Sequence, residues 1–199
     1  MEENILQIYN DIKRHGRCIT TSFIFISTYN TIMSILVFIL PTGRKPSDSY
    51  KKYVNSINKL FKRCGFLAVV IIRIVNILKL GREKDIFYSI PLDLLLFYVN
   101  NKNIGTFSIV TKAFKEKNLN PSGHMFTFSY SFYILTRVLL TSKSVFLIST
   151  CLFTILIYTF LATYTIIYHH TKWECFIGLI LCNITAFIHN YILAYVEMN

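Results

Sequence analysis

The stretch VFLISTCLFTILIYTFLATYTIIY, residues 145–168, holds 24 residues and not one charged side chain. At about 1.5 Å per residue, a helix of that length reaches about 36 Å, enough to cross a hydrocarbon layer about 30 Å thick. Apolar stretches of the same kind flank it, His124–Thr141 before and Glu174–Val196 after. The links at Thr141–Val145 and Tyr168–Glu174 have room only for tight helical hairpins. Further upstream, Cys18–Leu40 follows the basic Lys13, Arg14 and Arg17, and its length and lack of a small-residue cleavage site suit a retained anchor. Cys64–Leu80 is interrupted by Arg73 and Asn76, and the short Ile86–Val99 carries Pro91 and Asp93. The expectation is an all-α polytopic membrane protein: six transmembrane helices (18–40, 64–80, 86–99, 124–141, 145–168 and 174–196) in one domain over residues 1–199, with both termini on one side.

Composition agrees. Residues that are apolar or aromatic make up 53% of the 199 and charged ones 16%, against about 25% charge in an average soluble domain. That apolar content excludes disorder. Neither sustained heptads nor a solenoid repeat occurs. The net charge of +11 fits anionic lipid or an anionic substrate, and no nucleic-acid-binding motif accompanies it. The five cysteines sit mostly in apolar stretches without metal-ligand spacing, so they read as buried thiols, and no metal or cofactor is expected.

Between Ser47 and Arg63, the residues Tyr50, Tyr53, Val54, Ile57, Leu60 and Phe61 recur every three or four positions among Lys51, Lys52, Lys59, Lys62 and Arg63. This pattern predicts a basic helix lying in the headgroup layer, with Ser47, Asp48 or Ser49 as its cap.

Two constellations carry chemistry. Asn120-Pro121-Ser122-Gly123-His124 opens the fourth stretch. A helix start attracts phosphate, and a His in its first turn beside Ser122 and Gly123 reads as a phosphoryl cradle with a proton donor. Lys112, Lys115 and Lys117 add positive charge upstream. The second constellation, Tyr168-His169-His170-Thr171-Lys172-Trp173-Glu174 with Gly178 a turn later, fills the last hairpin. On a helix His170 and Glu174 share a face, so the carboxylate can fix one tautomer of the imidazole. Gly178 would let a neighbouring helix approach closely. With six crossings, both constellations fall on one side, where one His could attack phosphorus while the other protonates the leaving oxygen.

Other polar residues have plainer readings. His15 and His189 read as headgroup contacts, Lys172 and Trp173 as an interfacial anchor. Arg73 and Asp93 are either functional or an interior ion pair. His169 is a substrate contact or only a neighbour of His170.

Pro121-Ser122-Gly123-His124, followed by a His with an acidic residue four positions on, resembles the type 2 phosphatidic acid phosphatase superfamily, six-helix enzymes that use a phosphohistidine and no metal. The chain is more similar to one branch, the fat-storage-inducing transmembrane (FIT) proteins, which carry Ser-Gly-His and a Tyr-Phe-His-Thr-x-x-Glu-type motif with a following Gly. Asn58, Phe61, Lys62 and Arg63 resemble a further FIT feature. The superfamily's Arg-Pro pair is missing, Thr163 and Tyr164 stand where its Ser-Arg pair falls, and Asn120 replaces an acidic residue usual in FIT proteins.

The resemblance implies an endoplasmic reticulum enzyme of lipid homeostasis and lipid-droplet biogenesis. Its reaction would be that of an acyl-CoA diphosphatase, which yields acyl 4′-phosphopantetheine and adenosine 3′,5′-bisphosphate from fatty acyl-CoA. The expected catalytic residues are His170 as nucleophile, Glu174 as its orienter and His124 as acid. Substrate would be held by Ser122, Gly123, His169, Lys112, Lys115 and Lys117. The expected partners are fatty acyl-CoA and membrane lipids, neutral lipid included, and no nucleic acid.

Charge and resemblance disagree on orientation. Twelve Lys and Arg fall on the motif side and eight on the other, which by the positive-inside rule would make the motifs cytosolic. The resemblance puts them in the lumen with cytosolic termini, and the basic start of the chain with Lys79, Arg82 and Lys84 supports that choice. Two alternatives remain: a lipid phosphate phosphatase or headgroup transferase on the same scaffold, and a non-catalytic membrane protein that binds neutral lipid.

Overall fold

The computed structural model describes residues 2–42, 56–57, 60–101 and 121–198, and every regular element among them is helical. The α-helices are α1 (Glu2–Ile39), α2 (Phe66–Lys79), α3 (Lys84–Asn101), α4 (Gly123–Thr141), α5 (Val145–Tyr168) and α6 (Lys172–Met198). A π-helical turn, Phe61–Gly65, leads into α2. The all-α class expected from the sequence is therefore observed among the described residues.

Three helical stretches are long and apolar enough to cross a membrane: Thr20–Ile39, Val145–Tyr168 and Lys172–Val196. The other three helices differ for identifiable reasons. α2 has 14 residues, about 21 Å of helix. α3 carries Pro91 within it and buries Asp93. α4 buries Thr127, Ser129, Ser131 and Thr136 along with its apolar residues. The long apolar helices turn Phe25, Ile32, Phe146, Phe153, Phe187 and Tyr191 outward, each half exposed or more. So much contiguous apolar surface suits lipid contact better than water.

α4 is the centre of the bundle and packs against all five other helices. A helix buried on every side belongs to a core, and its hydroxyl-bearing residues then need internal partners. Thr127 and Thr136 donate to the carbonyls of Gly123 and Phe132 one turn back, at 2.7 and 2.9 Å. Aromatic side chains fill the space around it. Phe66 of α2 stacks on Phe97 of α3 at 3.7 Å between ring centroids, and Tyr29 of α1 stacks on Phe132 at 4.0 Å. Asn30 Nδ2 donates to Asn183 Oδ1 at 2.8 Å, joining α1 to α6.

The connections follow from local chemistry. α2 ends where Gly81 takes φ +67°. Its N–H donates to the Leu78 carbonyl and that of Arg82 to the Ile77 carbonyl, a Schellman closure that a residue with a Cβ would adopt only with strain. At Gly65 an added Cβ would lie 2.6 Å from Tyr158 Oη, so the turn before α2 sits directly on α5.

The basic segment 47–63 lies mostly outside the described residues, as do Asn58, Asn120, Lys112, Lys115 and Lys117. Within the segment Ile57 and Leu60 are helical and exposed, and Phe61 packs edge-on to Tyr158 at 5.9 Å. Cys151, Cys175 and Cys182 are buried thiols as expected, whereas Cys64 is exposed in the π-helical turn before α2.

Candidate active site

One end of the bundle gathers the start of α4, the end of α5 and the start of α6. Ser122 is the N-cap of α4: extended backbone lets its Oγ accept the Met125 N–H at 3.3 Å, one of the orphan donors of a helix start. Its own N–H donates to the Glu174 carbonyl at 2.9 Å. The first turns of α4 and α6 are thus joined by a direct backbone bond.

Gly178 explains how they come so close. A Cβ there would lie 2.8 Å from the Ser122 carbonyl oxygen and 3.2 Å from Met125 Cβ. The backbone oxygen cannot step aside as a flexible side chain could. Gly178→Ala is expected to lower stability by about 1–3 kcal/mol through overpacking, seen as a lower unfolding temperature in detergent. An unchanged unfolding temperature would show that the two helices separate at no cost.

The turn between α5 and α6 supplies the rest. His169 is the C-cap of α5, and α6 begins at Lys172, so His170 stands in the turn. This corrects the expectation that His170 and Glu174 meet as neighbours on one helix face. They meet because Thr171 and Glu174 form a capping box: Glu174 Oε2 accepts the Thr171 N–H at 2.9 Å, and Thr171 Oγ1 accepts the Glu174 N–H at 3.3 Å. The carboxylate held in this way also receives His170 Nδ1 at 3.3 Å. An ionised carboxylate can only accept, so this contact puts the hydrogen on Nδ1 and the lone pair on Nε2.

His124, one residue into α4, faces both histidines of the turn. Its ring centroid lies 5.7 Å from that of His170 and 6.0 Å from that of His169, whose ring is nearly parallel to it. Tyr164 packs against His169 at 5.4 Å and forms a wall beside it. His124, His170 and Glu174 are half-buried and His169 is exposed, so the cluster is within reach of a ligand. Ser122 differs from the expectation of a substrate contact: it is fully buried, with its oxygen and N–H engaged as described. An anion here would instead meet the first-turn amides at Gly123 and His124.

Lys172 and Trp173 fasten the same end to α1. Lys172 Nζ donates to the Phe38 carbonyl at 2.7 Å, and Trp173 packs edge-on to Phe38 at 5.8 Å. Trp173 is 56% exposed.

A second polar cluster lies deep between α2, α3, α4 and α6. Arg73 forms an ion pair with Asp93. The other carboxylate oxygen meets His189 Nε2 at 2.8 Å. On the far side of that ring, Nδ1 is 2.7 Å from Tyr133 Oη and 3.3 Å from Arg137 Nη1. Tyr133 also donates to Asn190 Oδ1. His189 is fully buried, which corrects its reading as a headgroup contact. The pairing of Arg73 with Asp93 was one of the two readings of those residues, but His189, Tyr133 and Arg137 as members of the same network were missed. Arg137 stands four residues after Tyr133 on one face of α4, a spacing that could have drawn attention to them.

Neither protein families, nor curated proteins, nor solved structures give a match to this chain.

Proposed function

We propose that the histidine cluster is the active site of a membrane-embedded phosphoanhydride hydrolase, with fatty acyl-CoA as substrate. The observation that carries this reading is the convergence of His124 and His170, 46 residues apart in sequence, with the Nδ1 of His170 on Glu174. His170 Nε2 attacks one phosphorus of the CoA diphosphate. The bond from that phosphorus to the bridging oxygen breaks, and His124 gives this oxygen its proton. Water then attacks the phosphohistidine, returns the second phosphate product and frees His170. Glu174 stabilises the imidazolium character that develops on His170 in each step. The amides at the start of α4 receive the equatorial oxygens, and the acyl chain lies along the exposed apolar helices.

In this reading all six helices cross the bilayer of the endoplasmic reticulum, with the cluster lumenal and both termini cytosolic. Resemblance to the FIT branch and the tight α4–α5 and α5–α6 turns support it. Glycosylation of an acceptor site introduced near Lys45 tests the orientation, since only a lumenal loop is modified.

The reaction is tested with purified protein in detergent and oleoyl-CoA. Wild type is expected to release adenosine 3′,5′-bisphosphate and acyl 4′-phosphopantetheine. Inorganic phosphate from phosphatidic acid, with oleoyl-CoA untouched, would replace this reading with that of a lipid phosphate phosphatase. Cleavage of neither by folded protein would leave neutral-lipid binding as the function.

A further inference from the structure

At the opposite end of α4, Arg137 lies 13 residues beyond His124, about 20 Å along the helix axis. A cleft of about 50 Å³ opens there between α2, α3, α4 and α6, lined by Arg73, Asn76, Arg82, Tyr88, Arg137 and Thr141 among others. That space holds a few waters or one phosphate group, and is too small for a nucleotide. A second opening, which shares Asn76 and Leu80 with it, adds Lys79 and Lys143.

We propose that this cleft is a binding site for a phosphate group, carried by an anionic lipid headgroup or free in solution. Three observations converge. The first is charge: Arg73, Arg82 and Arg137 face Asp85, which lines the cleft, and Asp93 just beneath it. Among these five described side chains the balance is one positive charge in excess, before Lys79 and Lys143 at the rim are counted. Arg82 and Arg137 are partly buried, and an anion seated in the cleft offsets the excess.

The second is chemistry. Guanidinium groups bind phosphate through paired N–H donors, and Arg73 is 5% exposed, so its contact would be made largely out of water. The third is Asn76. Its amide is 4% exposed, its Nδ2 donates to Thr141 Oγ1 at 2.9 Å, and its Oδ1 receives no hydrogen bond. A buried carbonyl of this kind calls for a donor. A protonated phosphate, or a headgroup with a hydroxyl beside its phosphate, provides one together with the negative charge.

The site is independent of the histidine cluster, and its test separates the two. Protein in neutral detergent is titrated with phosphatidylglycerol, phosphatidylcholine or inorganic phosphate while its unfolding temperature is followed. Phosphatidylglycerol is expected to raise that temperature by about 2–4 °C and phosphatidylcholine to leave it unchanged. Saturation by inorganic phosphate at similar concentration would assign free phosphate as the ligand, and its failure to compete would assign the lipid. Arg137→Gln is expected to raise the half-saturating concentration about tenfold or more, and His124→Ala/His170→Ala to leave it in place. Should Arg137→Gln not fold, Arg82→Gln at the half-exposed rim is expected to weaken binding in the same direction. Equal responses to the two lipids overturn the proposal. So does a response that survives both arginine changes, or one that disappears with the two histidines.

Discussion

Purified His170→Ala protein is expected to release no measurable adenosine 3′,5′-bisphosphate from oleoyl-CoA, a loss of about 10⁴-fold or more, while it unfolds at the wild-type temperature. The size of the effect follows from its place in the cluster. His170 stands in the turn between two helices, half-buried, and its loss leaves the capping box of Thr171 and Glu174 intact. Activity and stability should therefore part company. His124→Ala separates the two proposed roles. Removal of an acid is felt most with a poor leaving group, so His124→Ala should lose far more on a simple alkyl phosphate than on p-nitrophenyl phosphate, whose leaving oxygen needs little protonation, whereas His170→Ala should lose both alike. If p-nitrophenyl phosphate restored His170→Ala, the attacking group would lie elsewhere, and His169, 6.0 Å from His124, would be the next to examine.

Glu174 complicates the reading of its own mutants in a useful way. One of its carboxylate oxygens accepts both the Thr171 N–H and the contact from His170 Nδ1. A change at Glu174 thus disturbs a helix start as well as an imidazole. Thr171→Ala removes one half of the box and keeps the carboxylate, so a comparison of the two distinguishes loss of the cap from loss of the tautomer.

The helices were legible because their periodic and uniformly apolar stretches are long. Val145–Tyr168 coincides with α5, and 124–141 starts one residue inside α4. The core position of α4 was not legible, because burial on all sides is set by the five neighbours that surround it. At the site, the pairing of His124 with His170 was readable from topology alone. The geometry that holds them was readable in part: Gly178 marks a place of close approach, while the capping box in Thr171-Lys172-Trp173-Glu174 uses the same Glu174 that the catalytic reading claims. Ser122 shows the same confusion in reverse. A Ser just before a helix is first of all a cap, and that is the work its oxygen does here. His189 was misread because a single His near the end of an apolar stretch says nothing of its partner, and Asp93 lies 96 residues away in sequence.

The largest stability effect is expected at Asp93. Its two oxygens face Arg73 and His189, and all three side chains are buried. Asp93→Ala removes the only carboxylate of that network among the described residues and leaves the Arg73 guanidinium, 5% exposed, without its counter-charge. Removal of one partner from a buried pair costs about 3–5 kcal/mol, which for a chain of this size lowers the unfolding temperature by about 6–20 °C. Substitution of both charges is expected to hurt much less. Arg73→Met with Asp93→Leu replaces a pair whose desolvation already offsets much of its attraction, so the double variant should recover a large part of what Asp93→Ala loses. His189 gives the internal check, because in the double variant its Nε2 has lost its acceptor while Tyr133 and Asn190 remain. A double variant as unstable as Asp93→Ala would show that the carboxylate acts chiefly on His189 and the α3–α6 contact. Recovery would show that it acts on Arg73 and the α2–α3 contact. The activity proposed for the histidine cluster at the other end should persist in the double variant, since the two sites share α4 and α6 but no side chain.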